Sequence, residues 1–312
     1  MKLRAPDVRK NFAIPTEPAA ALLIMQGSPS LSAVEVDRIA GRADAAMTPR
    51  EQFDRDGYLV ARGMFSADEM SEFIVEVQKA DSLIPGPDYL DSGAMRFYHN
   101  VFYKSPLIQR FICQQRLIDF MAPVVGPDFW VRWDQAVEKG PNSGVFAWHQ
   151  DNGYSKLGAE YYQLWIALSE MTPHNGGLWV VPGSNHSRLP HTRAGNHLIA
   201  QGSEIYDAPD APKAFVAAEK GDVVMFSSFT LHKTYENTTE RPRWAYVGEF
   251  LPTSFYDPLA PKPYFVVAQN GRAHGKFMPS IPGSRDLAQR LRLLPLIARS
   301  YYHKLKALRL NA

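Results

Sequence analysis

Apolar positions recur along this chain in two rhythms, and the change between them falls near residue 129. Upstream, helical spacing dominates. Thr48-Pro49-Arg50-Glu51 places a capping residue, a proline at the first helical position and a glutamate at the third, which predicts a helix that Gly57 ends. Ser66-Ala67-Asp68-Glu69 is a second capping box and predicts a helix to about Lys79. Between them, the run 58–65 reads as a strand. Residues 105–124 carry Leu107, Phe111, Ile112, Leu117, Phe120 and Met121 at helical spacing and stop at Gly126-Pro127.

From Phe129 onward, short runs of strand-forming residues alternate with turns. "FWVRWDQAVEK", "GVFAWHQD", "YYQLWIALSEM", "GLWVVPG", "AFVAAEKGDVVMFSS" and "RWAYVGEFLP" predict strands, separated by "KGPNSG", "HNGG", "KGD" and "ENTTERP". Helices followed by many short strands predict a mainly β fold with flanking helices, an antiparallel sandwich or barrel. Three parts result: an N-terminal arm (1–46), a main domain (47–260) and a C-terminal extension (261–312). Within the domain, residues 185–213 hold His186, His191 and His197, fit no element, and are read as an inserted lid loop. Residues 284–312 read as a basic amphipathic helix that docks on its own domain or on a second subunit in preference to a membrane surface. The arm and this helix are the two surfaces on which a homo-oligomer could form.

Composition narrows the partners. Over 312 residues, 34 basic and 32 acidic side chains nearly cancel, so global charge points to no nucleic acid. The single cysteine, Cys113, excludes an internal disulfide framework and reads as a buried thiol in a reducing compartment. No apolar run approaches the roughly 18–20 residues of a membrane span. A cytoplasmic protein with no integral membrane segment is expected.

The candidate chemistry lies in "GVFAWHQDNGY". On a strand, positions i and i+2 share a face, so His149 and Asp151 would project together, with Ala147 and Val145 behind them. Alone, the pair reads equally as two metal ligands or as polar residues on a surface strand. Two histidines and one carboxylate form the facial triad of non-haem Fe(II) oxygenases, so a metal reading needs a further histidine. His232, after the apolar run 223–226, can supply it. Arg243 opens the run "RWAYVGEF". A buried guanidinium needs an anion, and no acidic side chain in the neighbouring sequence is an obvious mate, whereas an anionic co-substrate would serve.

In this order, His149-x-Asp151, "NGGLWVVPGSNH", "GDVVMF", His232-x-Thr234, Asn237 and Arg243 resemble the phytanoyl-CoA dioxygenase family, and the likeness covers about residues 50–255. The resemblance implies a double-stranded β-helix (a cupin-like jelly roll) and an oxygenase that uses Fe(II), 2-oxoglutarate and dioxygen. It implies that His149, Asp151 and His232 bind iron and that Arg243 and Thr234 hold the far carboxylate of 2-oxoglutarate. Trp165 matches a position beside that co-substrate, and Tyr154 an aromatic position just after the first motif. Halogenating variants carry a small residue where this chain has Asp151, so hydroxylation of a C–H bond in a small organic molecule is expected, such as a secondary-metabolite intermediate. Desaturation, cyclisation and epimerisation start from the same site. A non-enzymatic jelly roll that only binds metal or ligand would leave Arg243 and Thr234 unexplained. Gln135, Arg96 and His99 are candidates for the substrate end, while Trp133, Trp148, Trp165 and Trp179, taken singly, read as core.

Overall fold

Both capping boxes form. Thr48 and Ser66 each accept from the third helical amide, and Glu51 and Glu69 each reach back to the capping backbone. The computed structural model describes residues 47–84 and 95–281, except 156, 158, 195, 196 and 258, together with helical positions 291, 294, 295 and 298. The expected arm and most of the basic C-terminal helix lie outside the described residues. In chain order the elements begin with α1 (Pro49–Asp56), β1 (Tyr58–Ala61), α2 (Ala67–Leu83), β2 (Met95–His99), α3 (Val101–Lys104), α4 (Pro106–Ile112) and α5 (Gln115–Val125). They continue as β3 (Phe129–Lys139), β4 (Phe146–His149), α6 (Asn152–Ser155), β5 (Tyr162–Ala167), β6 (Leu178–Val180), β7 (His191–Ala194), β8 (His197–Ala200) and α7 (Ser203–Asp207). The remaining strands are β9 (Ala214–Phe215), β10 (Val223–Ser227), β11 (His232–Thr234), β12 (Arg243–Pro252), β13 (Tyr264–Gln269) and β14 (Arg272–Met278). Among the described residues, no helix is long and apolar enough to cross a membrane.

Two antiparallel sheets make the sandwich. The major sheet runs β1-β10-β5-β12-β3-β13-β14 with β2 added on β3, and the minor sheet runs β4-β11-β6-β9. Alternation along the strands sorts the side chains. Leu164 and Ile166 of β5, Met225 of β10 and Tyr246 of β12 turn outward and pack with Phe73, Phe111 and Ile118 of the helices. Trp165, Phe226 and Val247 turn inward and meet Trp148 and Trp179 of the minor sheet. The helices therefore cover one face of the major sheet, and its other face is left to build the cavity.

Several expectations change. The single helix over 105–124 is two, broken at Cys113-Gln114, where the backbone leaves helical geometry. The break rephases the apolar stripe, so that Ile108, Phe111 and Ile112 and then Leu117, Ile118 and Met121 all reach the core. The strand expected over 58–65 stops at Ala61. The sheet does not stop at 260: β13 pairs with β3, so two strands of the expected extension belong to the main sandwich. The lid loop at 185–213 is not structureless, since it folds as the β7–β8 hairpin followed by α7.

The "KGD" turn gives a direct stability prediction. Gly221 has φ +99°, and a Cβ there would come 2.0 Å from the Phe65 carbonyl oxygen. The same pair is tied by Phe65 N–H donating to the Gly221 carbonyl at 3.1 Å. A left-handed backbone and a clash with another backbone leave alanine no relief, so Gly221→Ala should lose about 2–4 kcal/mol in urea unfolding. An unchanged midpoint would contradict this reading of the turn.

Candidate active site

β4 and β11 are neighbours in the minor sheet, with His149 directly opposite His232. Asp151 joins them by another route than the sequence suggests. β4 ends at His149, and Asp151 stands in the turn that opens α6, so the turn and not strand alternation brings its carboxylate back. Val145, expected behind the pair, lies outside the strand and is exposed. The result is a tight cluster. Asp151 Oδ1 is 3.6 Å from His149 Nε2, Asp151 Oδ2 is 3.7 Å from His232 Nε2, and the two imidazole centres are 4.2 Å apart. Among the described residues this is the one such group able to hold a metal ion, with its ligand atoms all within 4.8 Å of one another.

The donor set fits a cation for a specific reason. His149 Nδ1 lies 2.7 Å from the Ala147 carbonyl, and His232 Nδ1 lies 3.0 Å from the Thr230 carbonyl. A carbonyl only accepts, so each Nδ1 carries the proton and each Nε2 turns a lone pair toward the carboxylate. Burial, reinforced by His149, pushes His232 down to about 4, so the ring is neutral near pH 7. Two lone pairs and a carboxylate gathered without a donor between them suit a divalent ion. Cis ligands about 2.1 Å from such an ion lie about 3 Å apart, so a small contraction is all that binding asks.

His191 is near but differently engaged. Its Nδ1 faces the Leu189 carbonyl at 2.8 Å, and its Nε2 accepts from the Gln150 backbone N–H at 3.0 Å, which leaves it no free lone pair. Gln150, between the two ligands of the motif, points the other way. Its amide donates to the Ser187 and Phe229 carbonyls and accepts from Leu189 N–H. At the far end of the insertion, Asp207 receives Lys233, Trp148 and Tyr235. The 185–213 segment is thus fastened at both ends against the minor sheet.

A cavity of about 520 Å³ opens beside the triad, within the range of small-molecule sites. β12 runs along it, with Arg243, Val247 and Glu249 on the inner face, so Arg243 and Glu249 stand about 20 Å apart along the strand. At the first pole, Arg243 is buried, and only its Nη2 is engaged, donating to the Gly176 carbonyl at 2.9 Å. Nε and Nη1 are buried with no partner, and burial pushes the guanidinium down to about 9. Trp165 stacks its ring 5.4 Å from the guanidinium carbon, with its own indole N–H unpaired. Thr234 lines the same end. Buried donors left in this state call for an anion with several oxygens.

At the other pole, sequence reasoning finds little. The β3–β12 ladder slips between Glu249 and Phe250, leaving Arg132 as the extra residue of a bulge. That bulge turns two consecutive side chains, Arg132 and Trp133, into the cavity. Arg132 is paired with Glu249 and, at 2.6 Å, with Asp257, and Gln163 Nε2 donates to Glu249 at 3.2 Å. Burial disfavours the Arg132 charge, and the two acids more than reverse this, whereas burial raises Glu249. Of the expected substrate residues, Gln135 and His99 line the cavity. Arg96 does not, because strand alternation places it on the opposite side of β2, beside Tyr98. Trp133, expected in the core, faces the cavity, while Trp148 and Trp179 are core as expected. Tyr154 is partly exposed at the rim, its ring edge-on to His149 at 5.8 Å.

Comparison with known proteins identifies the family. A family model described as phytanoyl-CoA dioxygenase (PhyH) matches residues 53–245. The ectoine dioxygenase of Sphingopyxis alaskensis is 28% identical over 233 residues, covering 64% of this chain and 74% of that protein. Among solved structures, the non-heme monooxygenase ThoJ in its apo form superposes with a TM-score of 0.60 at 20% identity, covering 84% of this chain and 99% of that one. The epimerase SnoN, in complex with Fe3+, alpha-ketoglutarate and nogalamycin RO, gives 0.55 at 18% identity, covering 67% and 84%. With a match spanning well over half of its length, the chain belongs to the phytanoyl-CoA dioxygenase family and is an iron(II)- and 2-oxoglutarate-dependent oxygenase.

Proposed function

We propose that the enzyme hydroxylates an unactivated C–H bond of a compact, partly apolar small molecule, in the manner of a secondary-metabolite intermediate. His149, Asp151 and His232 are the iron ligands in this reading. Arg243 and Thr234 hold the far carboxylate of 2-oxoglutarate, with Trp165 beside it. One observation carries it: two imidazole lone pairs and a carboxylate that face one another share a cavity with a buried guanidinium that lacks an anion. Neither half is stable in isolation, and a divalent ion with a dicarboxylate satisfies both.

Iron, once bound with 2-oxoglutarate and dioxygen, supplies the oxidising power for C–H attack. The protein's own part is placement. With the Arg243 pole taken by the co-substrate, the substrate is left the space toward Trp133, where Phe97, Phe146 and Leu259 offer apolar wall and Gln135 an amide. Gln150 fastens residues 187–189 beside the metal motif, which keeps bulk water from that side.

Turnover tests the reading. With Fe(II) and 2-oxoglutarate supplied, the cognate small molecule should stimulate succinate formation and gain one oxygen atom, read by mass spectrometry, and chelation of the metal should stop both. A product that gains no oxygen would replace hydroxylation, with desaturation or cyclisation where two hydrogens are lost and with epimerisation where the mass is unchanged. Failure to bind 2-oxoglutarate at all would overturn the assignment of Arg243 and Thr234.

A further inference from the structure

Three strands of the major sheet set one row of side chains across its inner face. Gln163 of β5 stands directly opposite Glu249 of β12, which stands directly opposite Trp133 of β3, and all three line the cavity. On its other side Gln163 stands opposite Phe226 of β10, whose ring lies 4.9 Å from the His232 imidazole. The row therefore runs from beside the triad out to the second pole. The β3 bulge adds Arg132 to it, and the segment between β12 and β13 adds Asp257.

Charge does not balance at this pole. The guanidinium groups lining the cavity are Arg243 and Arg132, and the acids are Asp151, Glu249 and Asp257. Asp151 belongs with the metal and Arg243 with the co-substrate, so Arg132 is left against two carboxylates. Its Nε and Nη1 are spent on Asp257 and Glu249, and an anionic group would meet an excess of negative charge here. Both Glu249 oxygens face donors, Arg132 Nη1 on one and Gln163 Nε2 on the other at 3.2 Å, so neither oxygen has an acceptor for a carboxyl proton and the group is a carboxylate. Burial raises Glu249, Arg132 counters it and Asp151 adds to the rise, so a further cation beside the carboxylate would stabilise it. The neighbouring amide is also incomplete. An amide oxygen turned toward Glu249 would be repelled, so Gln163 offers its N–H there, and its Oε1 is left buried with no donor among the described residues.

The geometry points to a substrate that carries a protonated basic nitrogen, a compact amine seated at this pole: its N–H groups donate to Glu249 and to Gln163 Oε1, and its charge lies against the Trp133 ring. The inference rests on the proposed function, which leaves this end of the cavity to the substrate, and goes beyond it by naming the substrate's chemical class. A neutral alcohol would pair with the amide oxygen and leave the excess charge unmatched. A cationic N–H donor meets both needs, and an indole face adds attraction for it.

Anaerobic calorimetry on the full chain loaded with Fe(II) and 2-oxoglutarate tests it, with benzylamine, benzyl alcohol and benzoate as probes. They share a ring and differ in the head group: a cation, a neutral donor and an anion. Benzylamine should bind at least about 10-fold tighter than benzyl alcohol, with benzoate the weakest. Glu249→Gln keeps the shape and removes the charge. It should weaken benzylamine about 10-fold or more and leave benzyl alcohol within about twofold. Benzyl alcohol or benzoate binding as tightly as benzylamine overturns the inference, and so does binding of none of the three to the loaded enzyme. Unchanged benzylamine affinity in Glu249→Gln, or an equal loss for benzyl alcohol, also overturns it, the second by showing a merely structural role. Should Glu249→Gln not fold, the order of the three probes on the wild-type enzyme decides. An enzyme that fails to take up 2-oxoglutarate before any probe is added contradicts the proposed function itself.

Discussion

Asp151→Ala is expected to abolish substrate-dependent succinate formation, by at least about 1,000-fold, while leaving the fold intact. The first half follows from the ligand count. Two imidazoles with lone pairs directed at one point remain, but the only negative charge that balances the ion there is gone. The second half follows from the site's place in the fold. Asp151 stands in a turn after β4, and its surroundings are acceptors and a glutamine amide, so no core contact and no strand hydrogen bond depends on it. In the metal-free protein the melting temperature should therefore stay within a few degrees of wild type or rise. The two proteins separate when Fe(II) or Zn(II) is added, because wild type should melt higher with metal and the variant should gain little. Undiminished turnover, or equal metal stabilisation in both, would remove Asp151 from the ligand set.

How far such a site can be read from sequence depends on how local its causes are. His149, His232 and Arg243 sit on strands whose turn and apolar patterns are local, and the order of motifs carries the rest. Asp151 was legible as a residue but not by the right geometry, because strand alternation cannot foresee a chain that turns immediately after His149. The full burial of Lys139, the last residue of β3, was not legible either. Its burial depends on Gly176 and Thr234, both distant along the chain, and a lysine ending a run of strand residues ordinarily signals solvent. The Arg132–Glu249–Asp257 cluster was hidden for a related reason. Arg132 enters the cavity only because one residue is extra in the β3 ladder, and a bulge shifts the two-residue alternation that sequence reading relies on. The hairpin within 185–213 is short, and the pairing partners of the strands beyond 260 could not be named from the sequence.

The second large effect has two opposite signs in one variant. Arg243→Met should weaken 2-oxoglutarate at least about 100-fold, since removing one partner of a buried, hydrogen-bonded charge pair costs about 2–5 kcal/mol. The same change should leave the ligand-free protein as stable as wild type or more so. Without an anion, the Arg243 guanidinium is buried with two nitrogens unpaired. Methionine fills similar volume against Trp165 and carries no charge, and the one bond it forfeits, to the Gly176 carbonyl, is worth about 1 kcal/mol. Relief of an uncompensated cation is at least as large. A thermal shift series separates the two signs. Wild type should gain steadily with added 2-oxoglutarate, by about 2.7 kcal/mol at a hundred times its dissociation constant. Arg243→Met should start level or higher and fail to respond over the same range. A variant that begins well below wild type yet still responds to the co-substrate would mean that Arg243 supports the sheet and not the ligand, and the anion would have to be sought elsewhere in the cavity.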